Sequence, residues 1–184
     1  MNAVVQARTP HAVAALASAA VQEPAQYLTF LLAGEAFAIN ILSIKEIIEY
    51  RSLTVVPMMP ASVRGVINLR GAVVPVMDLR ARFGCKPSEV TKRTCIVIVE
   101  VEADADGERE RQVIGVVVDA VNEVLDIAAA DIEPAPAFGA RIRTDFIEGM
   151  GKVRGKFVIL LDVERVLTLD DIAAVAEVAT VATH

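Results

Sequence analysis

GVINLRGAVVPVMDLRAR, from Gly65 to Arg82, returns as GMGKVRGKFVILLDVERV from Gly149 to Val166. The two stretches align without a gap at an offset of 84 residues (149 minus 65), with Gly65/Gly149, Arg70/Arg154, Gly71/Gly155, Val74/Val158 and Asp78/Asp162 identical. In the first copy, Val66 to Leu69 and Ala72 to Met77 read as two strands joined across Arg70-Gly71, because Gly supplies a turn conformation between β-rich runs. After Asp78 the series Leu79, Arg82, Phe83 takes helical spacing. Asp78 therefore reads as a helix N-cap and Gly84 as the stop, and Asp162 repeats the cap. A long internal period of this kind implies a duplicated β module.

The pattern extends outward from the hairpin. From Tyr27, Leu28, Phe30 and Leu32 alternate with Thr29 and Leu31, Gly34-Glu35 turns the chain, and Phe37, Ile39 and Ile41 return it. Ile44 to Tyr50 gives a third strand, and Leu53 to Ser62, with Pro57 and Pro60, reads as a loop because proline lacks a ladder donor. The second half starts with Cys95 to Val101, crosses a polar hairpin loop from Ala103 to Glu110, and returns as Gln112 to Val118. Val121 to Ile127 then matches Ile44 to Tyr50 at an offset of 77 (123 minus 46), so Glu123 stands where Glu46 does. The difference of seven (84 minus 77) places an insertion in the connection from Ala128 to Asp145.

The fold class implied is all-β: two barrels of five strands each, packed around a shared core, with short helices. Ile96-Val97-Ile98-Val99 and Val116-Val117-Val118 are apolar on both faces, so each sheet needs a second layer, and the other barrel supplies it. The expected organisation is a flexible Ala-rich leader over 1–26, a first barrel module over 27–92 and a second over 93–168, with terminal segments free to exchange between barrels. A C-terminal helix or tail, N-capped by Asp170, occupies 169–184.

Composition narrows the function. The net charge of −6 argues against a nucleic-acid partner, since phosphate neutralisation needs a basic face. Hydrophobic residues make up 54% of the chain, yet no apolar run reaches the roughly 18 residues of a spanning helix, so no direct membrane insertion is expected. Ala17-Ser18-Ala19 imitates a signal-peptide cleavage site, but the preceding stretch is too short for its apolar region. Cys85 and Cys95 are the only cysteines and form no CxxC, and both histidines, His11 and His184, lie in the tails. No metal site, no cofactor and no catalytic constellation is expected, and the thiols should stay reduced in a cytoplasm. GMGKVRGK has neither the phosphate-loop nor the dinucleotide spacing, because Arg154 occupies the position where glycine is required. Asp78 and Asp162 read as caps in preference to paired catalytic carboxylates. The acidic string Asp104, Asp106, Glu108 and Glu110 lacks EF-hand spacing and reads as a solvated hairpin tip.

Two positions remain as candidates for interaction. Arg70, beside Gly71 at a hairpin tip, is either a surface turn residue or a fork-shaped donor to a carboxylate. Glu46 lies in an alternating strand with Ile44 and Ile48 on the same face, as interaction surface or as the charge that protects an edge strand.

The strings FLLAGEAFAINILSIKEII, GVINLRGAVVPVMDLR, CIVIVE, IGVVVDAVNEVLDI and GKFVILLDVERVL, in this order and with a Pro-bounded loop at Val56-Pro57, resemble the CheW-type chemotaxis coupling proteins over Tyr27 to Thr168. The resemblance implies two SH3-like barrels and a non-catalytic adaptor. Its partners would be the regulatory domain of the chemotaxis histidine kinase and the cytoplasmic tip of methyl-accepting chemoreceptors, in the cytoplasm at membrane-associated receptor arrays. Receptor helices would dock between the barrels and the kinase at barrel ends. Carried over by position, the partner-binding residues are Ile44, Glu46, Gly65, Asn68, Leu69 and Arg70. An adaptor of another array, such as one for surface motility, and a small-ligand-binding β-barrel are the alternative readings.

Overall fold

The computed structural model describes residues 23–105, 107–135 and 144–167. Most of the leader, Asp106 of the acidic string and the helix expected after Asp170 lie outside them. Eleven strands are present among the described residues: β1 (Ala25–Leu32), β2 (Glu35–Asn40), β3 (Ile44–Glu49), β4 (Val63–Leu69), β5 (Ala72–Asp78), β6 (Cys95–Ala105), β7 (Glu108–Val118), β8 (Ala120–Ile127), β9 (Ile132–Glu133), β10 (Ile147–Val153) and β11 (Lys156–Leu161). Two single-turn helices, α1 (Leu79–Arg82) and α2 (Val163–Val166), follow β5 and β11. Their N-caps are Asp78 and Asp162, whose carboxylates accept from backbone N–H groups of the first turn.

The strands form two curled sheets, one of five strands in the order β3-β6-β7-β5-β4 and one of six in the order β8-β1-β2-β11-β10-β9. The sixth strand is the two-residue β9, which falls in the connection expected to carry the insertion. Sheet membership does not follow the sequence repeat. Hairpin β1–β2 joins β8 to β11, with β2 parallel to β11, while hairpin β6–β7 joins β3 to β5, with β7 parallel to β5. The halves have exchanged hairpins, and the exchange ties the two barrels together through covalent chain.

Burial follows from this arrangement. The largest apolar cluster lies between the sheets and draws on both, with Leu28, Phe30, Phe37, Met77, Val97 and Val116 among its buried members. Smaller clusters fill each barrel: Ile67, Val74, Val76, Ile96, Ile98 and Val117 in the five-stranded one, Tyr27, Ala38, Ile127, Val158 and Leu160 in the other. Along β6, Ile96 and Ile98 face the barrel interior while Val97 and Val99 face the shared core, which is why the run is apolar on both sides. A row of phenylalanines crosses the shared core, Phe30 to Phe37 to Phe83 to Phe146, with ring centroids 6.2, 5.9 and 6.1 Å apart. Phe83, just after α1, is thereby keyed between rings that come from the six-stranded sheet and from the turn before β10.

The polar segment from Ala103 to Glu110 is not a loop. The β6–β7 ladder continues to Ala105 opposite Glu108. Charge pairs across the ladder account for this: Arg111 lies 3.4 Å from Glu100 and Arg109 lies 3.6 Å from Glu102. Opposite charges on one sheet face support pairing where apolar contact is lacking.

Gly65 is fixed by packing. Both copies carry a register shift here, between Val63 and Gly65 on β4 and between Ile147 and Gly149 on β10. In both, the preceding connection crosses close by, through the Thr54–Val66 bridge and through β9. A Cβ on Gly65 would lie 2.5 Å from the backbone oxygen of Thr54, whereas one on Gly149 would meet first the Ile132 Cγ2 at 2.7 Å. Gly65→Ala is therefore expected to lower stability by about 2 kcal/mol, since backbone must move. Gly149→Ala should cost less, because the nearest backbone atom to its Cβ, the Glu133 oxygen, stands at 3.0 Å and not 2.5 Å. Urea unfolding of the two variants checks the order, and equal midpoints would refute it.

Candidate functional site

Among the described residues, three hairpins close with two-residue turns in which both residues have positive φ: Ala33-Gly34, Arg70-Gly71 and Arg154-Gly155. This mirror-image turn matches the twist of the flanking strands and normally selects Asn-Gly or Gly-Gly. An arginine at φ 53° carries a conformational cost of about 1 kcal/mol. Backbone preference therefore does not select arginine at the tip, although Ala33 in the first hairpin adopts the same conformation.

That side chain is aimed. Arg70 Nη2 donates to Glu46 Oε2 at 2.7 Å, joining the β4–β5 tip to edge strand β3. Asn68 Oδ1 accepts from the Gly71 N–H at 3.0 Å and braces the turn. The contact to Glu46 is a single hydrogen bond from an otherwise solvent-facing guanidinium, so most of the donor fork is available to an incoming carboxylate. The duplication supplies an internal comparison. Arg154 and Glu123 are the equivalent pair, yet they stand 3.9 Å apart, and the Glu123 side chain is 52% exposed against 23% for Glu46. Lys152 takes the place of Asn68 and has no acceptor for the turn. Asn68→Lys in the first copy should accordingly cost about 1 kcal/mol of stability, read by urea unfolding. No change in midpoint would show that the brace contributes nothing.

The structure brings together Glu46, Asn68, Leu69 and Arg70. Leu69 packs against the interior of the five-stranded barrel and lines, with Glu46 and Arg70, an open cleft of about 790 Å³ at its end. Ile44 does not share their face. A bulge between Ile44 and Glu46 sets Ile44 opposite Val99, which faces the shared core, and Glu46 opposite Ile98, which faces the barrel interior. An extra residue in one strand reverses the faces of the residues beyond it, so strict alternation through Ile44, Glu46 and Ile48 fails. Gly65 sits at the far end of β4, against Thr54.

Sequence reasoning missed a second polar cluster next to the site's framework. Asp78 is fully buried, and besides capping α1 it accepts from Arg64 Nη1 at 2.7 Å and from the Ser88 N–H at 2.9 Å. Arg64 also donates to the Ser88 carbonyl at 2.8 Å and stacks over the Tyr50 ring, 5.6 Å from its centroid. One carboxylate thus holds β4, α1 and the segment after it. The residue equivalent to Arg64 is Glu148 (148 minus 64 is 84), beside Asp162. There burial and the Asp162 charge push the Glu148 carboxyl above its ordinary range, and burial together with Glu148 pushes the Tyr27 hydroxyl up. An offset check one residue beyond the repeated motif would have exposed this contrast.

Among the described residues, no group of three or more His, Cys, Asp or Glu side chains is placed to hold a metal ion. No helix among them is long and apolar enough to cross a membrane.

A family model described as a CheW-like domain matches residues 26–171. Over 154 residues the chain is 34% identical to the chemotaxis protein CheW of Klebsiella aerogenes, covering 84% of this chain and 88% of that protein. It is 33% identical over 151 residues to CheW of Bacillus subtilis, covering 82% and 91%. Among solved structures, the scaffolding protein TtCheW from Thermoanaerobacter tengcongensis superposes with a TM-score of 0.69 at 34% identity, covering 80% of this chain and 90% of that one.

Proposed function

The chain belongs to the CheW-like family, and from that premise we propose that it is a non-catalytic scaffold coupling methyl-accepting chemoreceptors to the chemotaxis histidine kinase, in the cytoplasm at membrane-associated arrays. The observation that carries the reading furthest is the braced Arg70. A guanidinium placed in a costly turn conformation, tethered by one hydrogen bond and otherwise facing solvent, suits recognition of a partner. Interiors of both barrels filled by side chains count against a small ligand held inside either one.

A bridge transmits a signal only if its contacts differ between two states of the kinase, since equal affinity for both shifts neither population. Ring-like arrays supply the remaining stability through multivalency, so each contact can be individually weak. The test is reconstitution of kinase activity with receptor fragments, with and without the chain. Receptor-dependent activation should require it, and activation that is unchanged on omitting it would end this reading.

A further inference from the structure

Among the described residues the chain passes between the two sheets twice, from β2 to β3 through the single turn Ile41–Ser43 and from β7 to β8 through Asp119. At the offset of 77, Asp119 is the counterpart of Leu42 (119 minus 42). The two crossovers are held differently. Leu42 is 91% exposed. Asp119 donates its N–H to the Leu31 carbonyl at 3.0 Å, while its Oδ2 accepts from the Ala33 N–H at 2.9 Å and lies 3.7 Å from Arg80 Nη1. Arg80 belongs to α1, so the helix that ends β5 grips the crossover into the six-stranded sheet.

The helix reaches further. Arg82 Nε donates to the Val166 carbonyl at 3.0 Å, and its guanidinium lies over the Phe146 ring, 4.9 Å from the centroid. Val166 is the counterpart of Arg82 in the repeat (166 minus 82 is 84). A residue bonded to its own counterpart marks the axis relating the two copies, as at an isologous interface. The side-chain bond runs one way across that axis, because valine carries no polar side-chain group. Phe83 then stacks between Phe37 and Phe146. Arg80, Arg82 and Phe83 thus fasten one end of β5 to the second barrel, and the other end of β5 carries the Arg70-Gly71 turn.

We infer that Arg80 and Arg82 are positioning residues, which fix the angle between the barrels and with it the place of the Arg70 tip relative to the six-stranded barrel. Hinges lie at a few residues between rigid elements, and the two crossovers are such places. Apolar contact in the shared core is non-directional. Hydrogen bonds and a cation over a ring face have preferred geometries, so the α1 contacts select among the angles that the core permits. The consequence for signalling rests on the proposed coupling function: a bridge whose two barrels lose their fixed angle still binds at each end but transmits less between them.

The experiment measures the distance between spin labels at Glu49→Cys and Asp126→Cys, equivalent exposed strand positions in the two barrels, in the full chain with Cys85→Ser and Cys95→Ser. Arg80→Met with Arg82→Met keeps both aliphatic stems and removes the donors, and should widen the distance distribution by at least about twofold. Gly65→Ala, which lowers stability away from α1, should leave the width unchanged. Thermal unfolding confirms that each variant is folded, and Arg82→Met alone replaces the double variant if that one is not. In unlabelled chains the same arginine variant should bind the isolated kinase regulatory domain within about twofold of the parent, yet lower receptor-dependent kinase activation by at least about threefold. A parental width in the arginine variant, or equal widening in Gly65→Ala, overturns the positioning role. Widening with full activation overturns its use in coupling. No activation by the parent chain overturns instead the coupling function, and the label distances still decide the role of α1.

Discussion

Arg64→Ala is expected to cost about 3 kcal/mol of stability, the largest effect of any single side-chain truncation at the polar framework. Its partner Asp78 is fully buried and accepts from Arg64 at 2.7 Å, so truncation strands a carboxylate with its neutralising charge removed. The Arg64 side chain is 22% exposed, and water entering its place will hold the loss toward the lower end of the range for broken buried pairs. Loss of the hydrogen bond to the Ser88 carbonyl and of the stacking on Tyr50 adds to it. Urea unfolding gives the number, and a double-mutant cycle with Asp78→Asn should show coupling above about 1 kcal/mol. A single-variant loss below about 1 kcal/mol, the level of an exposed pair, would mean that the ion pair is not the tie it looks to be.

The pair also shows where duplication misleads. Identity between copies reveals the hairpins, the Arg-Gly turns and the two Asp caps, because each meets a local backbone demand that both copies share. It does not reveal what each cap faces, because Arg64 in one copy is Glu148 in the other and identity ends one residue short of both. Sheet membership is equally hidden. A repeat specifies which strands are equivalent, but parallel pairing of β2 with β11 and of β7 with β5 depends on where hairpins lie in space. The continuation of β6 and β7 beyond the Val101–Gln112 pair is illegible because ion pairs, not apolar alternation, support it. The bulge after Ile44 is illegible for a different reason: an alternating string looks the same whether or not an extra residue interrupts the ladder. What is legible at the site, Glu46 and Arg70, comes from charge at positions where the pattern otherwise calls for apolar or turn residues, and the structure shows them 2.7 Å apart.

Arg70→Glu is expected to reduce receptor-dependent kinase activation by at least about tenfold in reconstituted assemblies while leaving the chain folded. Stability should fall by only about 0.5–1 kcal/mol, because the site is exposed and the new carboxylate merely faces Glu46 instead of pairing with it. The functional effect is larger because reversal removes a donor fork and puts a like charge in front of the partner. Arg70→Lys separates the two contributions: charge survives and the fork does not, so activation should fall between the parent and Arg70→Glu. The exchanged pair Glu46→Arg with Arg70→Glu decides the remaining question. If Arg70 serves only to fasten the β4–β5 tip to β3, the exchange restores both unfolding midpoint and activation. If Arg70 meets the partner, the midpoint recovers while activation stays low, since the guanidinium has moved from the tip to the strand. The second outcome is expected, because only one donor of Arg70 is engaged by Glu46 and the turn that presents the others is strained and braced.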